Sequence, residues 1–257
     1  MLDNKYITAL SVLVFVGVNS GMAYADSTTY DWAGFYGGAN IGTSHASING
    51  TTTTIDPNSP IGGGRGSDSG SDQWNGSIVG VQLGYNWMLN KNILLGVEGD
   101  FSAPNLSHDT NGVSKFGVSD KTFNVDTIGM LRGRVGYASN NWLIFGTGGA
   151  AWTHIRTSNT QGPCGDGGTP PSYSIANCSS GPFTGVPYGT KDNSSINKTG
   201  WTIGAGVEVG ITQNWTSRLE YIYTDFGSLH FSNPSFNRES TFKLKTNSLQ
   251  IGFNYKF

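Results

Sequence analysis

Between residues 78 and 87 the chain alternates strictly. Val79, Val81, Leu83, Tyr85 and Trp87 share one parity, and Ile78, Gly80, Gln82, Gly84 and Asn86 share the other. A β-strand sends successive side chains to opposite faces, so this period of two describes a strand with one apolar face and one small or polar face. The pattern returns at 201–211, where Trp201, Ile203, Ala205, Val207, Val209 and Ile211 oppose Thr202, Gly204, Gly206, Glu208 and Gly210. At the end of the chain Leu249, Ile251, Phe253, Tyr255 and Phe257 face away from Ser248, Gln250, Gly252, Asn254 and Lys256. Eight such segments can be marked, at 32–44, 74–88, 93–101, 121–137, 142–157, 200–212, 215–226 and 241–257. Each reaches the roughly 9–11 residues with which a tilted strand crosses a bilayer. The fifth carries large apolar residues on both parities, Leu143 and Phe145 against Trp142, Ile144 and Trp152, so no lumen face is assigned to it.

The connections alternate in length. Segments 89–92, 138–141 and 213–214 are short and polar, whereas 45–73, 102–120, 158–199 and 227–240 are long and rich in Gly, Ser, Thr and Asn. Long loops at one end, with short turns and both termini at the other, describe an outer-membrane barrel. A soluble β-sandwich would turn its polar face to water and has no reason to segregate loop lengths. Composition agrees: only 12% of residues are charged, about half the roughly 25% of soluble domains. The 38 glycines in 257 residues are about twice the usual share of roughly 7%. They follow no three-residue period, which excludes collagen. Beyond the N-terminus no run approaches the ~20 apolar residues of a spanning helix. The net charge of −2 and the lack of a basic stripe exclude a nucleic-acid partner. The fold class expected is all-β: an eight-stranded antiparallel transmembrane outer-membrane β-barrel with four long surface loops and three short periplasmic turns.

The N-terminus reads as an export signal. Lys5 precedes an apolar run over 7–18, and Ala23-Tyr24-Ala25 places small residues at −3 and −1 of a cleavage site. The expected domains are therefore a signal peptide at 1–25 and a barrel at 26–257, located in the outer membrane of a Gram-negative cell. In an exported chain the two cysteines, Cys164 and Cys178, most simply form one disulfide. It would close a loop of about 15 residues, worth about 3 kcal/mol on the chain-entropy model.

Six of the seven tryptophans, Trp32, Trp74, Trp87, Trp142, Trp201 and Trp215, fall at strand ends. Indole rings favour the membrane–water boundary, so these six form the expected aromatic girdle. Strand parity sends Glu98, Asp100, Arg132, Arg134, Glu208, Arg218 and Glu220 inward, and Asp126 with them near the outer mouth. Charges enclosed in a low-dielectric interior must be paired, which predicts a network across the lumen. Such a network is either a selectivity constriction or a salt-bridged plug. Eight-stranded barrels have interiors only wide enough for side chains, which favours the plug.

Catalysis and metal binding find little support. His45, His108 and His230 lie in the expected loops, and with His154 they show no metal-ligand spacing. His154 near Ser158 is the one hint of a hydrolase set. Gly204-Ala205-Gly206 lacks the following helix of a dinucleotide loop, and Gly62-Gly63-Gly64-Arg65-Gly66 lacks the Lys-Ser/Thr of a phosphate loop. No enzyme activity, metal or cofactor is expected.

Several stretches carry a family resemblance. Asp31-Trp32-Ala33-Gly34-Phe35-Tyr36-Gly37-Gly38 resembles the opening strand of the alphaproteobacterial opacity-like outer-membrane proteins. That family includes the Brucella and Rhizobium major surface antigens and the Bartonella hemin-binding proteins. Gly96-Val97-Glu98-Gly99-Asp100-Phe101, Leu131-Arg132-Gly133-Arg134-Val135-Gly136-Tyr137, residues 200–208 and residues 218–227 look like its later signatures, in order. Phe253, Tyr255 and Phe257 resemble the aromatic C-terminal signal read by the barrel-assembly machinery. The resemblance implies an eight-stranded barrel at the cell surface and no single biochemical activity. The partners expected are outer-membrane lipid, the assembly machinery during insertion, and a host or extracellular ligand at the loops. Closure removes the sheet edges that drive association, so a monomer is expected. The leading expectation is a structural surface barrel that supports envelope integrity and displays its loops. The alternatives are a narrow pore for small solutes and, from the family alone, hemin capture with His45, His108 and His230 as axial ligands.

Overall fold

A computed structural model describes residues 30–54, 67–114, 117–161, 191–233 and 238–257. Its strands are β1 (Gly34–Thr54), β2 (Ser67–Met88), β3 (Ile93–Pro104), β4 (Leu106–Ser114), β5 (Gly117–Ser139), β6 (Trp142–Gln161), β7 (Lys191–Gly210), β8 (Trp215–Asn233) and β9 (Arg238–Lys256). β3 and β4 form one stave interrupted at Asn105, whose amide donates to the Ser77 carbonyl at 2.7 Å. Both halves pair with β5. Every stave is antiparallel to its chain neighbours, and β1 closes the circuit by pairing with β9. Ile41 thus stands opposite Val79 on one side and Ile251 on the other. The result is a closed eight-stranded antiparallel barrel, which has no sheet edge to protect.

Short turns at 89–92, 140–141 and 211–214 share one end with the start of β1 and with Phe257. Backbone bonds tie this end together: Ala138 N donates to Asn92 O at 2.7 Å, Gly210 N to Asn141 O at 2.8 Å, Lys256 N to Asn214 O at 2.7 Å and Phe257 N to Phe35 O at 3.0 Å. Asn140 makes the tightest turn with φ of 55°, a left-handed conformation that asparagine tolerates better than most residues.

The other end differs from expectation. β1 has 21 residues and β5 has 23, about twice what a bilayer crossing needs. The expected long loop at 102–120 is largely a paired hairpin, with Ser114 opposite Gly117. The one at 227–240 is also mostly ladder, with Asn233 opposite Arg238. Strand likewise claims 45–54 and 67–73, and 158–161 and 191–199, from the other two. These segments are rich in Ser, Thr, Asn and Gly, so the hydrogen-bonded ladder continues without an apolar alternation in the sequence and they read as loop.

The usual arrangement of a core is inverted. Ile41, Leu83, Leu131, Ile144 and Phe253 are all more than half exposed on the outer wall, where lipid rather than water covers them. Inside, an apolar layer around Leu106, Ile128, Ile155, Phe226 and Leu244 occupies the extracellular half. A second, of Tyr30, Trp32, Leu94, Ala138, Leu143 and Phe145, lies at the periplasmic mouth. Between them sits a belt of charge.

Candidate functional site

Register builds the belt. The ladder sets Glu98 of β3 opposite Arg132 of β5 and Glu208 of β7 opposite Arg218 of β8, all on the enclosed parity. Arg132 touches three carboxylates: Nη2 donates to Glu98 Oε1 at 2.6 Å, Nη1 to Glu220 Oε1 at 2.5 Å, and Nε to Asp100 Oδ2 at 3.1 Å. Arg218 crosses the lumen to Glu98 Oε2 at 2.5 Å and lies 3.1 Å from Glu220 Oε2. Arg134 pairs with Glu208 and rests with its guanidinium 4.0 Å from the centre of the Phe145 ring, a cation–π contact. The seven expected lumen charges are therefore brought into one place, each at most 6% exposed.

Neutral polar groups finish the belt. Tyr36 Oη donates to Glu98 Oε2 at 2.7 Å and accepts from Arg134 Nη1 at 3.3 Å. Thr216 Oγ1 and Asn254 Nδ2 donate to Glu208 Oε1 at 2.5 and 2.9 Å. Gln82 joins Asn254 to Asn40, and Thr147 accepts from Arg132 while donating to Glu220. All eight staves contribute a side chain. Buried charges are tolerable only when most of their remaining donors and acceptors are met, and these neutral groups meet several of them while Arg134 Nε stays without a hydrogen-bond partner. Glycines supply room: a methyl group at Gly84 would strike the Tyr36 ring, and one at Gly252 would press on the stem of Arg218.

Sequence reasoning missed Tyr36, Asn40, Gln82, Thr216 and Asn254, although each lies on the enclosed parity of its strand, where a polar residue is itself the signal. Thr147 was hidden for a different reason. It sits on β6, whose two faces are both apolar in sequence. The structure settles that strand: Leu143, Phe145, Thr147, Ala151, Thr153 and Ile155 point in, and Trp142, Ile144 and Trp152 point out.

The expected girdle needs correction at two positions. Trp87, Trp142, Trp201 and Trp215 are about half exposed on the outer wall, as is Trp152. Trp32 and Trp74 are buried, Trp32 in the periplasmic mouth and Trp74 in the extracellular apolar layer. Trp74 carries an even number on β2, whose even residues point inward, and Trp32 precedes β1 and folds into the mouth. Position at a strand end therefore misassigned them, and face decides. Asp126 also departs from its expected inward course. A bulge in β5 between Val125 and Thr127 turns it to the outside, where it meets Arg156 Nε at 2.7 Å.

The histidines lie in strands rather than loops, His45 in β1, His108 in β4 and His230 in β8. His45 bonds Asn75, His154 bonds Asn197 and His230 bonds Thr241, each on a separate ladder. Among the described residues no group of three His, Cys, Asp or Glu side chains is placed to hold a metal. Cys164, Cys178 and residues 1–25 lie outside the described residues. Phe253, Tyr255 and Phe257 line the outer wall at the closing seam, with Tyr255 packed between Trp215 and Phe257.

At the periplasmic rim, Lys256 Nζ donates to Asp31 Oδ2 at 2.9 Å and to Asp31 O at 2.6 Å. That hydrogen bond holds the Asp31 carboxyl below the usual carboxylate range.

A closed eight-stave wall, greasy outside and ionic within, is the geometry of a lipid-embedded barrel. The family model for the outer membrane protein beta-barrel domain matches residues 11–257. The chain belongs to this outer-membrane β-barrel family. This barrel is 28% identical to the 31 kDa outer-membrane immunogenic protein of Brucella melitensis, over 97% of this chain and 94% of that one. It is 34% identical to a 22 kDa outer membrane protein of Rhizobium leguminosarum, over 74% and 71% of the two chains. Among solved structures it is similar to the outer membrane protein OprG of Pseudomonas aeruginosa. That pair is 15% identical, with coverage of 88% and 96% and a TM-score of 0.46. The protein resides in the outer membrane.

Proposed function

We propose that this barrel is a structural component of the outer membrane, closed to solutes, which supports envelope integrity and presents its extracellular hairpins for interaction. The belt carries this reading. Three guanidiniums and four carboxylates from β3, β5, β7 and β8 span the lumen, with bonds of 2.5–3.1 Å between the principal partners. A conducting constriction needs charges that face water. Here they face one another, between two apolar layers.

Planar-bilayer recording tests the closed lumen. The purified protein should show no steady single-channel conductance, and a conductance that vanishes in Glu98→Gln would replace this reading with a narrow pore. Envelope support has its own test. A deletion strain should become sensitive to detergents and bulky antibiotics, and unchanged sensitivity would remove that role.

Insertion by the barrel-assembly machinery is part of the same proposal. Phe257 is 75% exposed at the seam and bonds back to Phe35, so it is available to a recognition partner. Deleting it should reduce the heat-modifiable, folded fraction in membranes; full assembly without it would overturn the recognition role.

A further inference from the structure

The periplasmic mouth is closed by residues that are not part of the wall. The ladder begins at Gly34, yet Tyr30 and Trp32, just before it, are only 9% and 4% exposed. Their rings lie 4.5 Å apart and join Leu94, Ala138, Leu143 and Phe145 in the lower apolar layer. Asp31, between them, turns outward and is 72% exposed at its side chain.

Three features make this a fitted seat. At Gly210, the last residue of β7, any Cβ would collide with the Tyr30 ring. Lys256, near the end of β9, bonds both the side chain and the carbonyl of Asp31, and its ammonium lies 5.6 Å from the centre of the Tyr30 ring. Gly34 takes φ of 118°, a conformation open to glycine and rare for other residues, and so turns the segment back under the barrel. Above the two rings, the gap among Tyr36, Asn86, Glu208, Thr216 and Asn254 leaves a water-sized molecule only about 10 Å³ in which to place its centre, room for roughly one water.

We propose that residues 30–32 form a latch: an aromatic stopper that seals the belt from the periplasm and is clipped to the last strand by Lys256. Side-chain contacts hold it where hydrogen-bonded ladder holds the wall, so it can open while the barrel stays closed. Because its clip lies on β9 and its hinge on β1, it seats fully only when those two strands have met. The latch also reaches beyond the question of conductance, since it governs entry to the lower lumen whether or not the belt above passes ions.

Thiol labelling tests it in the full-length barrel in detergent micelles, with Cys164→Ser and Cys178→Ser removing the native thiols. Thr216→Cys places a thiol just above the stopper, and Ser248→Cys places one above the belt. With the latch intact, methyl methanethiosulfonate should modify the Thr216→Cys thiol slowly. Adding Tyr30→Ala and Trp32→Ala should accelerate it at least tenfold, and Lys256→Gln should do so to a lesser degree. The Ser248→Cys thiol should keep its rate throughout. Equal rates at position 216 with and without the two rings would overturn the latch. Equal acceleration at both positions would also overturn it, since the rings would then merely stabilise the whole barrel.

Discussion

Glu208 and Arg218 stand opposite each other in the β7–β8 ladder, yet each makes its close ion pair elsewhere, Glu208 with Arg134 and Arg218 with Glu98. In a barrel this narrow every inward side chain points at the same axis, so an arginine reaches the far wall as easily as its neighbour. Thr216 and Asn254 already occupy one Glu208 oxygen, which leaves Arg218 to the carboxylates of β3 and β8. A double-mutant cycle should therefore give Glu208 and Arg134 a coupling of about 2–3 kcal/mol, and Glu208 and Arg218 less than half of that. Urea unfolding in micelles measures both. Equal couplings would mean that strand adjacency, rather than reach, decides the pairing.

Arg132 is the position where the belt is most exposed to damage. Its guanidinium separates Glu98, Asp100 and Glu220, so Arg132→Met leaves three carboxylates to share Arg218 alone. Removing one partner of a buried pair costs about 3–5 kcal/mol. Adding Glu220→Gln should recover part of that loss. Asp100→Asn alone should cost under about 1 kcal/mol, because the belt holds one carboxylate more than it has guanidiniums and an amide keeps most of the hydrogen bonding. An Asp100→Asn loss as large as that of Arg132→Met would contradict this ranking.

Gly84 matters for its missing Cβ. Gly84→Ala would drive the Tyr36 ring from its place and with it the phenol that bonds Glu98. Overpacking of this kind costs about 1–3 kcal/mol. Tyr36→Phe in the same background should then add little, since the bond is already lost. If the two substitutions instead add fully, Gly84 and Tyr36 are not linked in this way.

Parity was enough to place the seven charges, because an ionised residue inside an apolar alternation has only one face it can occupy. It was not enough for β6, where Trp142 and Leu143 are both apolar and only the register against β5 and β7 separates lipid from lumen. Nor could it follow the chain past a bulge. In β8 the ladder shifts between Asp225 and Ser228, with Gly227 at φ of 68°. Even residues point in before the shift, and Leu229 points in after it. Trp32 and Trp74 show the converse failure. The even number of Trp74 marks it as inward, whereas Trp32 lies before β1 and is placed by packing in the mouth. The hairpins beyond the apolar staves left little signal, because their Ser, Thr, Asn and Gly residues lack the contrast on which a periodicity depends.

The outer wall should be intolerant of charge in a depth-dependent way. Leu131 is 60% exposed beside the level of the belt, so Leu131→Arg places a guanidinium well inside the lipid and should cost about 2–4 kcal/mol. Asn197 faces outward higher on β7, next to His154, and Asn197→Arg should cost about 0–1 kcal/mol. Unfolding from phospholipid vesicles compares the two, and similar losses would show that Leu131 does not lie in the hydrocarbon.

The latch should respond to acid through Asp31. Lys256 donates to its carboxylate and depresses its pKa in the folded protein. A depressed acid stabilises the folded arrangement fully above its ordinary value of about 4 and loses that contribution as pH falls through the lowered one. Neutral pH therefore keeps the clip shut, and strong acid releases it. The Asp31 carboxylate is largely exposed, so salt should weaken the pair at any pH. Trp32 reports the change directly: its buried indole should move toward water, seen as a red shift present in the native protein and absent in Trp32→Phe. Asp31→Asn removes the titrating group, so its emission should already be shifted at neutral pH and show no acid transition of this kind. An undiminished transition in Asp31→Asn would assign the opening to a carboxylate of the belt instead.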